Sequence, residues 1–230
     1  MHYFLTLAAL IPAVALLIRI YRLDRIEKEP RKLLGKLVLF GALAALGAGL
    51  AQLLLTRLLR RTLTPDTLAY LLLDNFLLVA LIEELAKLLP VRLCAWKDPA
   101  FDYRFDAVVY AVTSALGFAA VENVLYVLQA DLKTAVSRAL LSVPGHFFFA
   151  VSMGLLLSRA KQAERAGRVR RSRLLRVAAL ALPVVLHGVW DACLAARTTA
   201  AVVVFYGFVA AFFAVSVFFL RRAARTDAKL

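Results

Sequence analysis

The sequence predicts an all-α fold: a polytopic transmembrane helical bundle of about seven spans, with the N-terminus outside and the C-terminus cytoplasmic. Three observations predict it. Of 230 residues, 63% are apolar, against about 45–50% in a soluble domain. Mean hydropathy is +0.79. The apolar residues fall in runs of about 20, the length that crosses a bilayer, and basic clusters separate the runs. The formal charge is +14 and the pI is about 10.4. In a soluble chain that balance would suggest nucleic acid. Here the basic residues sit between the apolar runs, so they read as orientation signals facing the lipid bilayer, and no nucleic-acid partner is expected. A disordered chain and an ordinary soluble enzyme are excluded on the same grounds.

The seven segments are 3–18, 37–56, 67–91, 107–130, 139–158, 177–196 and 200–220. The first lacks a basic flank ahead of it, and its first charge, Arg19, follows the run. It is therefore expected to be a retained span and not a cleaved signal. The second carries Gly41, Ala44, Ala45, Ala48 and Gly49, a face for close helix packing. The third holds Asp74, Glu83, Glu84 and Lys87; the fourth, Gly117, Glu122, Asn123 and Tyr126; the fifth, Pro144, Gly145 and His146; the sixth, His187 and Asp191. Alternate connections carry 22 and 6 of the Lys and Arg residues. The richer set should be cytoplasmic, which fixes the orientation and places the chain as a multi-pass protein of the cell membrane, the bacterial plasma membrane. Residues 1–230 read as one integral membrane domain with no internal repeat. Its expected core is spans three to six, about 67–196. Cys94 and Cys193 fall near opposite faces, so no disulfide is expected.

Ionisable side chains at membrane depth cost about 2.5–3.5 kcal/mol or more each and normally face the bundle interior. Eight of them (Asp74, Glu83, Glu84, Lys87, Glu122, His146, His187 and Asp191) lie in spans three to six. They predict one polar cavity, with the other spans as scaffold. Glu83 and Lys87 stand four apart with Glu first, which suits an ion pair along one helix. Adjacent Glu83 and Glu84 cannot both ionise cheaply in low dielectric without compensation, and that tension suits acid–base work. Glu122-Asn123 reads equally as an interhelical clasp or as part of the chemistry. Pro144-Gly145 should loosen the helix just before His146. His187 and Asp191 share a helical face, so the carboxylate can orient an imidazole there. With upright helices, Glu122 lies about 12 Å from Glu83 in height, too far for direct contact.

The sets Glu83-Glu84-x-x-Lys87, Gly117-Phe118-x-x-x-Glu122-Asn123-x-x-Tyr126, Gly145-His146 and His187-x-x-x-Asp191 resemble the PrsW family of intramembrane proteases. More distantly they resemble the CAAX prenyl protease and bacteriocin-processing superfamily. The CAAX branch carries Arg after its Glu pair and a Phe ahead of its histidine, where this chain has Lys87 and Ser142. The PrsW resemblance implies a membrane-embedded, glutamate-dependent peptidase that cuts a peptide bond within or beside the membrane. It further implies Glu83 as the base that activates water, Glu84 as its support, His146 as a holder of that water, and His187 with Asp191 as oxyanion stabilisers. Lys87, Glu122, Asn123 and Tyr126 would support them. The implied partner is a membrane-spanning or membrane-tethered protein, of the anti-sigma-factor type. No cofactor is expected. A zinc site from Glu83, His146 and His187 is the minor alternative, since two histidines and a carboxylate suffice for catalytic zinc, but the His-Glu-x-x-His helix motif is absent. A proton- or ion-coupled transporter would use the same buried set.

Overall fold

In the computed structural model, residues 2–65, 67–129 and 136–230 are described, residues 2–6, 8 and 129 by backbone alone. Helices α1 (His2–Leu23) and α2 (Arg31–Thr62) come first. The third rod is composite: α3 (Leu68–Leu72), a π-helical stretch (Leu73–Leu81), α4 (Ile82–Pro90) and a second π-helical stretch (Val91–Ala95). Then follow α5 (Asp106–Gln129), a π-helical turn (Arg138–Ser142) leading into α6 (Val143–Arg165), α7 (Val169–Ala195) and α8 (Thr199–Arg225). These make seven rods, as the hydropathy predicts. Five helices are long and apolar enough to cross a membrane.

Local chemistry sets the boundaries. The Thr67 and Thr198 hydroxyls accept from the backbone N–H of Tyr70 and Ala201, capping α3 and α8 as Thr does at helix starts. Gly167, at φ +71°, makes the α6–α7 turn in the left-handed region open to glycine. Pro144 occupies the first turn of α6, directly after the π turn, so the loosening expected there is present.

The central element is α5, whose residues 106–119 are all buried. Glycines let its neighbours approach at backbone distance. A Cβ on Gly41 would lie 2.1 Å from the Ser114 carbonyl oxygen, one on Gly117 2.3 Å from that of Val38, and one on Gly154 2.5 Å from Val108 Cα. The small-residue face of α2 thus packs on α5 as expected, with Ala45 and Ala48 against Phe118. Gly188 of α7 similarly admits the Phe76 ring, bringing α7 against the π-helical stretch that precedes Glu83.

At the end of the bundle carrying both the α1–α2 and α6–α7 connections, residues 226–230 fold back over the 98–105 loop. Arg104 N–H donates to Ala228 O (3.1 Å), Leu230 N–H to Asp102 O (2.6 Å) and Phe105 N–H to the Asp227 carboxylate (2.9 Å). Beneath this strap Asp24, Glu29 and Asp106 are buried. The Tyr110 hydroxyl donates to Glu29, and Asp106 accepts from Asp102 and Tyr103 N–H. Cys94 and Cys193 are free.

Candidate active site

A cavity of about 880 Å³ opens among α2, the third rod, α5, α6 and α7. Of the eight ionisable residues expected to mark one polar hollow, Glu83, Glu122, His146, His187 and Asp191 line it, and Asp74, Glu84 and Lys87 do not. It extends to the end of the bundle where Arg138 and Arg197 lie, opposite the strap.

The α4 turn supplies three groups. Lys87 is fully buried, and its ammonium donates to Glu83 Oε2 (3.2 Å), Glu84 Oε1 (2.8 Å) and His146 Nδ1 (2.8 Å). All three of its donors are used, and it also lies over the Phe118 ring. The predicted Glu83–Lys87 pair is present, and Glu84 joins it. Glu84 lies behind the cavity wall. Its Oε1 also meets His187 Nδ1 at 2.9 Å, while its Oε2 is buried without a partner among the described residues.

The two histidines, 5.5 Å apart ring to ring, face opposite demands. His146 Nδ1 faces an ammonium, so it must accept; Nε2 then carries the proton and donates to Glu122 Oε2 at 2.7 Å. That is a neutral imidazole of fixed tautomer. His187 has carboxylates on both sides: Glu84 at Nδ1, and Asp191 Oδ2 3.2 Å from Nε2. An imidazolium satisfies both contacts as a double donor. The expected His187–Asp191 pairing is present, and the ring also stacks on Phe149.

Glu122 departs from the height argument. Glu83, Glu122 and His146 each bring a ligand atom within 4.8 Å of the others, so the 12 Å separation drawn from upright helices does not hold. Arg138 lies 3.2 Å from Glu122 Oε1, and its guanidinium sits over the Tyr126 ring at 3.9 Å. Asn123, adjacent in sequence, is the clasp. Its amide donates to Ala9 O of α1 (2.7 Å) and accepts from Arg138 Nε (3.0 Å). Of the pair, Asn123 makes the interhelical contacts and Glu122 faces the cavity.

Sequence reasoning treated α2 as scaffold and missed Gln52. Its amide donates to Glu83 Oε1 at 3.2 Å, and it lines the cavity. The available signal was the spacing Gln52, Thr56, Arg60, one stripe of a helix. All three pin the third rod: Thr56 donates to Asp74 (3.0 Å) and Arg60 to the Tyr70 hydroxyl (3.1 Å).

The model of the PrsW family intramembrane metalloproteases matches residues 29–219. This chain belongs to the PrsW family. Protease PrsW of Geobacillus kaustophilus is 35% identical over 190 residues, covering 83% of this chain and 79% of that protein. The Halalkalibacterium halodurans protein of the same name is 34% identical, covering 81% of each chain. That of Bacillus subtilis is 28% identical, covering 82% of each. No solved structure matches. The chain is thus a multi-pass membrane protein of a family of intramembrane proteases, and these relatives lend a transporter reading no support.

A metalloprotease of the PrsW family would need its donors free for the metal, and the cluster Glu83–Glu122–His146 has the right atom types. Its hydrogen bonding does not suit one. A metal on His146 Nε2 forces the ring proton to Nδ1, where it would point at the Lys87 ammonium, whereas metal-bound imidazoles turn their other N–H to an acceptor. A metal on Nδ1 would need the place of Lys87 Nζ, which already lies among two carboxylates and an imidazole. With Lys87 and Arg138 as resident cations, these side chains do not fit a metal in the arrangement present. The alternative zinc set of Glu83, His146 and His187 meets the same obstacle at His146, whose Nδ1 faces Lys87.

Proposed function

We propose that this PrsW-family member is a metal-independent, glutamate-dependent intramembrane peptidase of the bacterial plasma membrane. The observation that carries the reading is the convergence of Glu83, Glu122 and His146 within 4.8 Å at the wall of a wide cavity, with Lys87 as the buried counter-ion.

Hydrolysis needs a base for water and a donor for the oxyanion. Glu83 is the base. Gln52 and Lys87 each hold one of its oxygens, so the carboxylate is oriented before substrate arrives. Glu122 is the second acceptor for that water, with His146 donating to it. His187, cationic between Glu84 and Asp191, turns its Nε2–H from Asp191 to the developing oxyanion, and Glu83 passes the proton it took from water to the leaving amine. Glu84 is a positioning residue that orients both Lys87 and His187. The carboxylates Glu83, Glu84, Glu122 and Asp191 face the cations Lys87, Arg138 and His187, so one negative charge is left over, suited to removing a proton from water.

The cavity reaches the end of the bundle opposite the basic connections, which the charge bias assigns to the outer face. The substrate is accordingly a membrane-spanning or membrane-tethered protein of the anti-sigma-factor type, cut near its outer boundary. Glu83→Gln should abolish cleavage of a co-expressed single-span reporter while leaving thermal unfolding in detergent within a few degrees of the parent. Metal chelators should leave cleavage by purified protein unchanged. Normal cleavage by Glu83→Gln would refute the assignment, and chelator inhibition reversed by added zinc would refute metal independence.

A further inference from the structure

At the strap end, remote from the catalytic cavity, a second hollow of about 550 Å³ is lined by Arg104, Arg159, Arg165, Arg168, Arg171 and Lys229. It lies where the α6–α7 hairpin meets the folded-back segment 226–230. Two of these cations have partners. Lys229 pairs with Asp102 at 3.3 Å, and Arg165 donates to the backbone oxygens of Phe101 and Leu230. Among the described residues, Arg104, Arg159, Arg168 and Arg171 pair with no carboxylate. The one acidic residue of 159–176, Glu164, is directed instead to Lys161 (3.8 Å) and Arg176 (3.9 Å).

An orientation signal requires only that basic residues lie in the connection. It does not require four guanidiniums, none paired with a side-chain carboxylate among the described residues, to line one concavity, where they repel one another. Guanidinium forks match phosphate oxygens in pairs. Helix α7 begins beside the hollow with no side-chain cap and no acidic residue in its first turn, so its free N–H groups add to the same field. We propose that this hollow is a binding site for a phosphate group, carried either by an anionic phospholipid of the surrounding leaflet or by a soluble anion. Basic pockets at the cytoplasmic boundary of membrane helices have the geometry for headgroup capture.

The test uses the full chain in neutral detergent, with thermal unfolding followed during titration. The probes are phosphatidylglycerol against phosphatidylcholine, and inorganic phosphate against chloride at constant ionic strength. Arg168→Gln/Arg171→Gln removes two lining cations. Arg170→Gln/Arg173→Gln removes the same charge from the same turns of α7 but outside the hollow. Saturable stabilisation is expected from one of the anionic probes. Its apparent affinity should fall about thirtyfold in the first pair, at about fivefold for each arginine's worth of surface attraction, and stay near the parent in the second. Saturation by phosphatidylglycerol alone assigns a lipid headgroup, and saturation by inorganic phosphate assigns a soluble ligand. Equal loss in both pairs, or no saturable effect of either probe, would overturn the proposal.

Discussion

Lys87→Met removes the ammonium that three buried groups share. Methionine approximates the lysine stem in volume, so the change isolates the charge. Glu84 is then left fully buried without its cation, Glu83 keeps only its Gln52 donor, and His146 Nδ1 loses its donor. Breaking a buried ion pair by deleting one partner costs about 3–5 kcal/mol, which is between about two and four orders of magnitude in the folded-to-unfolded ratio. Against a total stability of about 5–15 kcal/mol, the variant should unfold well below the parent in a thermal or denaturant titration in detergent. Lys87→Met/Glu84→Gln removes one cation and one anion together, and the amide oxygen can still accept from His187. It should recover most of the lost stability. Cleavage of a single-span reporter should nonetheless stay at least about tenfold down, because nothing then fixes the His146 tautomer or the second oxygen of Glu83. Parent-like stability of Lys87→Met, or a double variant no more stable than the single, would refute the counter-ion role.

Gln52→Ala should lower kcat/KM by about 10–100-fold, the worth of a hydrogen bond to a charged group, with little change in the unfolding midpoint; unchanged kinetics would remove Gln52 from the site. Gly41→Ala forces a Cβ to 2.1 Å from a backbone oxygen and should cost about 1–3 kcal/mol in a denaturant titration, whereas Gly35→Ala on the same helix meets nothing within 4 Å and should be neutral or slightly stabilising. Under the strap, burial pushes the Glu29 carboxyl up to about 9 and that of Asp24 to about 6. Near neutral pH the folded chain therefore holds protons that the unfolded chain has released, and stability should fall as pH rises from the ordinary carboxylate range towards 9. Glu29→Gln should flatten that slope in unfolding midpoints measured across the range.

Much of this architecture was legible because membrane depth penalises polar side chains so heavily. The runs between basic clusters yielded all seven rods, and the i,i+4 pairs Glu83–Lys87 and His187–Asp191 formed as helical spacing requires. The approach of Glu122 to Glu83 was not legible. Counting rise along upright α-helices registers neither tilt nor the wider π-helical turns of Leu73–Leu81. Glu84 was legible as a support for Glu83, but not as the group that bridges Lys87 to His187, because that contact spans 103 residues of sequence. Gln52 escaped notice because a neutral amide in an apolar run has no charged partner to announce it. The proton positions on His146 became assignable only once Lys87 was seen beside Nδ1.

The glycine contacts on two sides of α5 have a mechanical consequence. With Gly41 and Gly117 locking it to α2, and Gly154 locking α6 to it, this helix has no slack in which to slide or roll. Glu122 therefore rides on a fixed keel and keeps its height whatever else moves. Where α7 meets α8 the contacts are instead aromatic rings, Trp190 against Phe205 and Phe213, which can slip past one another without breaking a backbone contact.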